Sequence, residues 1–123
     1  MVSYIKFEVS DQVMSKTYEA LKLASASGTI RKGANEVTKS IERNLAKFVV
    51  IAGDVEPEEV VMHLPKLCDE KKIAYSYVSS KDALGKSIGL TVPCTAIAIE
   101  KEGEAAEKIK EIISLVTGKS KQQ

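Results

Sequence analysis

The run Phe48-Val49-Val50-Ile51-Ala52, closed by Gly53-Asp54, is the feature that most limits what this chain can fold into. A strand with one wet face alternates apolar and polar residues. An unbroken apolar run does not, so this one reads as a strand buried on both faces. Such a strand needs cover above and below it, and the rest of the chain is patterned to supply that cover.

Ser10 is placed to cap a first helix, on which Val13, Thr17, Ala20, Leu21 and Ala24 fall on one stripe. Ser25 to Gly28 ends it, and Thr29-Ile30-Arg31 has room for a short strand only. After Gly33 a second helix is expected, with Ala34, Val37, Ile41 and Leu45 as its buried stripe. Pro57 suits the first turn of a third helix carrying Val60, Val61, Leu64, Leu67 and Cys68, which Pro65 should bend or split. Ile73 to Val78 reads as a strand with Tyr75 and Tyr77 on one face. Ser80 caps a short helix through Ala83, Leu84 and Ile88, stopped by Gly89. Leu90 to Pro93 is a loop, and Thr95 to Ile99 a last strand. A final helix is expected from about Glu102 to Val116, ended by Gly118, with Lys119 to Gln123 as a frayed tail. Strands alternating with helices imply an α/β fold, a three-layer α/β/α sandwich around a small mixed central sheet. The expected organisation is one domain over residues 1–123, with its core at about 10–117.

Charge is informative only locally. The formal net charge is +1, so global charge gives no argument for nucleic acid. Residues 28–39, however, gather Arg31, Lys32 and Lys39 against one acid, while residues 100–107 hold Glu100, Glu102, Glu104 and Glu107 against Lys101. Cys68 and Cys94 lie in apolar surroundings with no CxxC pairing and read as buried free thiols, consistent with a reducing cytosol. No apolar run approaches the roughly 20 residues of a membrane span, and Met1 to Glu8 has no signal-peptide pattern. A cytoplasmic protein with no membrane partner is expected.

The segment Gly28 to Lys39 is the candidate site. A helix start points unpaired N–H groups and partial positive charge outward, and phosphates favour it. Gly33 has no side chain to keep another backbone away, and Lys32, Lys39 and the planar fork of Arg31 add charge. Asn35 offers a donor and an acceptor together, and the carboxylate of Glu36 accepts from N–H groups on a base edge. Such side chains read bases exposed by distortion of an RNA helix. A plainer reading stands beside this one. Arg31 and Lys32 would be solvated charges, and Glu36 and Lys39 an i,i+3 pair.

The run Arg31-Lys32-Gly33-Ala34-Asn35-Glu36 with Thr38-Lys39 resembles the signature of the kink-turn RNA-binding family. That family includes the archaeal ribosomal protein of the L-seven-Ae type and its eukaryotic snRNP and snoRNP relatives. Ala52 to Pro57, His63-Leu64-Pro65 with Leu67-Cys68, Ser80-Lys81, Ala83-Leu84-Gly85 and Gly89 to Pro93 resemble it as well, so the likeness covers about residues 10–117.

The resemblance implies a protein that grips a sharply bent duplex containing tandem sheared G·A pairs. The matches of Asn35 and Glu36 contact the guanines. Those of Lys32 and Lys39 contribute phosphate and base contacts, with Gly33 close to the RNA. Glu56 and Val60 match residues at a flipped-out nucleotide, Lys81 matches a basic residue near the backbone, and Lys86 is a further candidate for a phosphate contact. Leu90, Thr91 and Val92 match the family's variable recognition loop. It is apolar at both ends here, as in the archaeal type, and suits kink-loops as well as kink-turns. The alternative for Leu90 and Val92 is that they fold into the edge of the core.

The resemblance further implies a non-catalytic component of the large ribosomal subunit, of archaeal box C/D and H/ACA guide ribonucleoproteins, and of RNase P. Its partners would be rRNA, guide RNA and RNase P RNA, with a Nop-type scaffold and the methyltransferase fibrillarin in the C/D particle. No cofactor is expected, and the free protein should be a monomer. His63 is the sole histidine and finds no ligand constellation around it, so it reads as packing or capping within its helix rather than binding metal. The competing class is a small α/β nucleotide-binding domain or enzyme, but the chain has no GxGxxG, no Walker pattern and no HExxH. A ribosome-only relative of the L-thirty-e type is disfavoured by the full Arg31 to Glu36 run.

Overall fold

The computed structural model describes residues 9–121, and of 117–121 the backbone alone. Helix α1 spans Asp11–Ser27, strand β1 Thr29–Lys32 and helix α2 Ala34–Glu42. Strand β2 (Phe48–Ala52) leads through a short 3-10 turn, Glu58–Val60, into α3 (Leu64–Lys71). Strand β3 (Ala74–Val78), helix α4 (Lys81–Ser87) and strand β4 (Ala96–Lys101) follow. A second 3-10 turn, Gly103–Ala105, opens into α5 (Ala106–Lys121). The expectations for Met1 to Glu8, and for Gln122 and Gln123 of the tail, lie outside the described residues.

The strands form a mixed sheet in the order β1-β4-β2-β3. β4 runs antiparallel to both β1 and β2, while β2 and β3 are parallel. Every residue of β2 is buried, as its unbroken apolar run requires. Full burial of side chains such as Phe48 and Ile51 contributes about 1.5–3 kcal/mol each. Helices α1, α4 and α5 pack together, and α2 packs with α3, so the sheet is the middle layer of an α/β/α sandwich.

Local signals placed these elements well. The Ser10 hydroxyl accepts from Val13 N–H at 3.2 Å, and the Ser80 hydroxyl from Ala83 N–H at 3.1 Å. The buried residues of α1 are Val13, Thr17, Ala20, Leu21 and Ala24, the whole expected stripe. Both cysteines are buried free thiols.

Four expectations fail, each for a physical reason. Leu45 is 48% exposed, because α2 ends at Glu42 and Asn44 turns left-handed (φ 59°), which swings the chain off the helical register. The expected third helix is split, as Pro65 foretold, with Pro65 in the first turn of α3, where its missing N–H costs nothing; Pro57, however, precedes only a separate 3-10 turn and not an α-helix. Consequently Val60 lies on the surface while Val61 is buried. Gly118 does not stop the last helix, which runs on to Lys121, so Lys119 to Lys121 are helical; a glycine inside a helix costs only about 1 kcal/mol.

Candidate nucleic-acid interface

The second helix begins bare. Gly33 precedes it with φ 90° and no side-chain cap, and a Cβ there would meet nothing within 4 Å. The first helical bond joins Val37 N–H to the Gly33 carbonyl at 2.9 Å, so the N–H groups of the first turn point out of the fold. Gly33 N–H in turn donates to the Ala96 carbonyl at 2.9 Å, which fixes the turn to the start of β4. Along α2, Val37, Ser40 and Ile41 are buried and Asn35, Glu36 and Lys39 are exposed, so the three polar side chains share the outer face.

That helix start forms one wall of an open cleft of about 510 Å³ lined by Lys32, Gly33, Asn35, Glu36, Val60 and His63, among others. The cleft therefore joins two segments some twenty-five residues apart, the second being the 3-10 turn that carries Val60. Val60 is 37% exposed, an apolar side chain presented toward solvent. Glu56 lies next door, in a smaller depression of about 380 Å³ made by residues 53–59, and Glu59 lines both hollows.

Two further segments reach the same end of the sheet. The Asp54 carboxylate accepts the Lys81 backbone N–H at 2.8 Å, tying the loop after β2 to the start of α4. The Lys81 carbonyl accepts Cys94 N–H at 3.0 Å, and the Gly85 carbonyl accepts Leu90 N–H at 3.0 Å. The 89–94 loop is thus pinned to α4 at both ends. Its middle stands out: Val92 is 60% exposed, whereas Leu90 is half-buried against the core. The core-edge alternative therefore holds in part for Leu90 and fails for Val92. Thr91 is exposed between them.

Other candidate residues are held differently. Arg31 reaches Glu100 at 3.3 Å, and Glu100 also accepts the hydroxyl of the buried Ser40 at 2.7 Å. This glutamate, counted in the sequence only among the acids of 100–107, braces α2 and β1. Lys39 lies 3.5 Å from Glu36, the i,i+3 pair of the plainer reading; both are more than half exposed, and such pairs contribute about 0–1 kcal/mol. Lys86 does not join the cleft. It lines a separate groove of about 660 Å³ between α1 and α4, with Tyr18 and Lys22.

Buried ionisable groups here serve the frame. Burial pushes the Cys94 thiol up from its ordinary value, against its hydrogen bonds with the Gly33 and Ala96 backbone and the nearby Lys32 cation. Burial likewise raises Tyr18, opposed by hydrogen bonds with the Ser80 backbone and the Ser79 side chain, with the Asp54 charge adding to the rise. Among the described residues, no group of three His, Cys, Asp or Glu side chains is placed to hold a metal, and no helix is long and apolar enough to cross a membrane.

Sequence reasoning missed His63, Asp54 and Glu100 as parts of this end of the molecule. His63 occupies the N-cap position of α3 but its side chain makes no capping bond; its Nε2 lies 2.8 Å from the Thr38 hydroxyl on α2. All three act across long sequence separations, for which no periodicity gives a signal.

The fold and the cleft define a small α/β/α protein with a helix start and two loops gathered at one end of a mixed sheet as its candidate recognition surface. The sequence profile of the ribosomal protein L7Ae/L30e/S12e/Gadd45 family matches residues 15–109, and the chain belongs to that family. Among solved structures it is similar to the Giardia lamblia 15.5kD RNA binding protein, at 28% identity over 96% of this chain and 98% of that one, with a TM-score of 0.89.

Proposed function

We propose that this chain is a non-catalytic RNA-binding protein that recognises kink-turn RNA. Its family, and the similarity to a 15.5kD RNA binding protein, support the RNA-binding part of this reading. The observation that carries the finer part is the exposed face of Asn35, Glu36 and Lys39 at an uncapped helix start, opposite the apolar side chain of Val60.

In this reading Asn35 and Glu36 contact the guanines of the sheared pairs, and Lys32, Lys39 and Lys81 meet backbone phosphates, with Gly33 admitting the RNA closely. Arg31 contributes charge from its seat on Glu100. Glu56 and Val60 receive the base thrown out by the kink. Leu90, Thr91 and Val92 cover exposed loop bases without demanding a hydrogen-bond pattern, which suits kink-loops too. Lys86 meets only RNA that extends beyond the cleft. The protein acts by selecting the bent form from a mobile ensemble, in proportion to its differential affinity for it. It serves as one domain and as a monomer when free, in the cytoplasm. Its particles are the large ribosomal subunit, the archaeal box C/D and H/ACA guide ribonucleoproteins and RNase P. In the C/D particle it works with a Nop-type scaffold and fibrillarin, to which methylation belongs.

A gel-shift titration against three RNAs tests this. A kink-turn and a kink-loop should bind alike, and the same duplex with its G·A pairs replaced by Watson–Crick pairs should bind at least a hundredfold more weakly. Equal binding of the repaired duplex would overturn kink-turn recognition. Strong discrimination against the kink-loop would overturn the reading of the 90–92 loop.

A further inference from the structure

His63 stands where the two walls of the cleft meet, and no role in recognition has been given to it. The Thr38 hydroxyl has one hydrogen, and it is directed at the Ala34 carbonyl at 2.7 Å, one turn back along α2. Its oxygen is then left to accept from the imidazole, 2.8 Å away. This assigns the hydrogen to Nε2 of His63, since an unprotonated Nε2 would face a lone pair. The link is a chain of donors running from His63 through Thr38 to the first residue of α2.

Position gives this chain its consequence. Ala34 and Asn35 lie four and three residues before Thr38, so the hydroxyl sits beneath the polar end of the helix. Val60 lies three residues before His63, and both line the cleft. The segment between them is held by its own bonds, Val61 N–H to the Glu58 carbonyl at 3.0 Å and Leu64 N–H to the Val61 carbonyl at 3.0 Å. A rigid turn bearing Val60 is thereby fastened to a rigid helix bearing Asn35 and Glu36.

We propose that His63 is a positioning residue which, through Thr38, sets the spacing between the base-reading end of α2 and the apolar seat at Val60. This rests on the kink-turn reading above, and its object is an RNA that engages both walls at once: paired bases on α2 and an extrahelical base at Val60. A bond that fixes this spacing matters most for a ligand that spans it, because the spanning contact then forms without loss of freedom in the protein.

The test measures the affinity of the full chain for a kink-turn RNA and for the same RNA made abasic at the extrahelical position. His63→Ala and Thr38→Val should each weaken binding of the intact RNA about fivefold, the range of one hydrogen bond. The double variant should lose no more than either single one, because both changes remove the same link. On the abasic RNA the variants should match the parent. His63→Gln, which keeps an N–H donor, and Thr38→Ser, which keeps the hydroxyl, should restore most of the affinity. Losses that multiply in the double variant overturn the proposal. So do equal losses on both RNAs, as a loosened fold would give. Glu36→Ala separates the two readings. If it binds weakly while the His63 variants bind as the parent, the positioning role alone falls. If Glu36→Ala also binds as the parent, the site itself lies elsewhere.

Discussion

The glycines that flank β1, Gly28 and Gly33, are five residues apart and are built on opposite terms. At its start, Gly28 has no room. An added Cβ would lie 2.0 Å from the Lys101 carbonyl oxygen, where β1 and β4 begin to pair. At its finish, Gly33 has nothing but room, with a positive φ that side chains resist. One glycine is required by close packing, the other by backbone conformation beneath an open surface. The same residue type in one short segment therefore marks a closed, structural end and an open end, the one proposed for recognition. Hydrogen bonding follows the same division: the first turn of α2 has no side-chain cap, while at the closed end the exposed Ser27 hydroxyl accepts Glu104 N–H at 2.9 Å.

The largest expected effect breaks the closed end. Gly28→Ala should cost about 3 kcal/mol, since a backbone carbonyl must move to admit the methyl. A thermal melt should show it, while the folded fraction binds RNA with parental affinity; a loss of affinity per folded molecule would erase the division between the ends. Next, Glu36→Ala should leave the melt unchanged and cost about 1–3 kcal/mol of kink-turn binding, read by titration. Gly33→Ala comes third and should touch both quantities. Its φ adds about 1–2 kcal/mol of strain, and the methyl stands in the space assigned to RNA. Parental affinity in that variant would mean that nothing passes over Gly33.

A smaller change is expected from Lys39→Ala. Binding should weaken, and the slope of log affinity against log salt should flatten by about one unit. A slope that stays put would leave Lys39 as merely the partner of Glu36. The least effect concerns the thiols. Cys68, which burial and then Asp69 push up to about 12, and Cys94, raised by burial, are protonated throughout the neutral range. Alkylation at pH 8 should be far slower in the native protein than in denaturant. Rapid labelling of Cys94 alone would show that the open end breathes.

Much of this was legible before any coordinates. Periodicity gives the whole buried stripe of α1, hydroxyl caps give the starts of α1 and α4, and the unbroken run in β2 demands two covering layers. These are local signals, carried by neighbours along the chain. The Gly28 to Lys39 segment was legible as a candidate site for the same reason, since its parts are contiguous. What could not be read was what lies between segments. Nothing local in the sequence points from Glu100 to Ser40 and Arg31, sixty-odd residues earlier, which lie against it. His63 reads in the sequence as packing or capping within its own helix, and nothing local points to its Thr38 partner on α2. The place of Lys86 beside α1, outside the cleft, is also invisible in one dimension. Leu45 shows the limit of periodicity itself, because the stripe was extended past the left-handed turn at Asn44 that ends it.

The place of β4 in the sheet has a consequence in time. Among the described strands it comes last in the chain, yet it lies between β1 and β2, which have no partner on that side until it arrives. The recognition end waits on it as well, since Gly33 and Ala52 both hang by their N–H groups from the carbonyls of Ala96 and Thr95. A growing chain that has emerged through α4 carries every side chain assigned to the guanines and to the extruded base, but it has no frame to hold them. Long-range closure of this kind is slow compared with helix formation. The end of the sheet that carries Gly33 is therefore framed only once β4 has joined it, and a chain that stops at α4 would hold those side chains without their support.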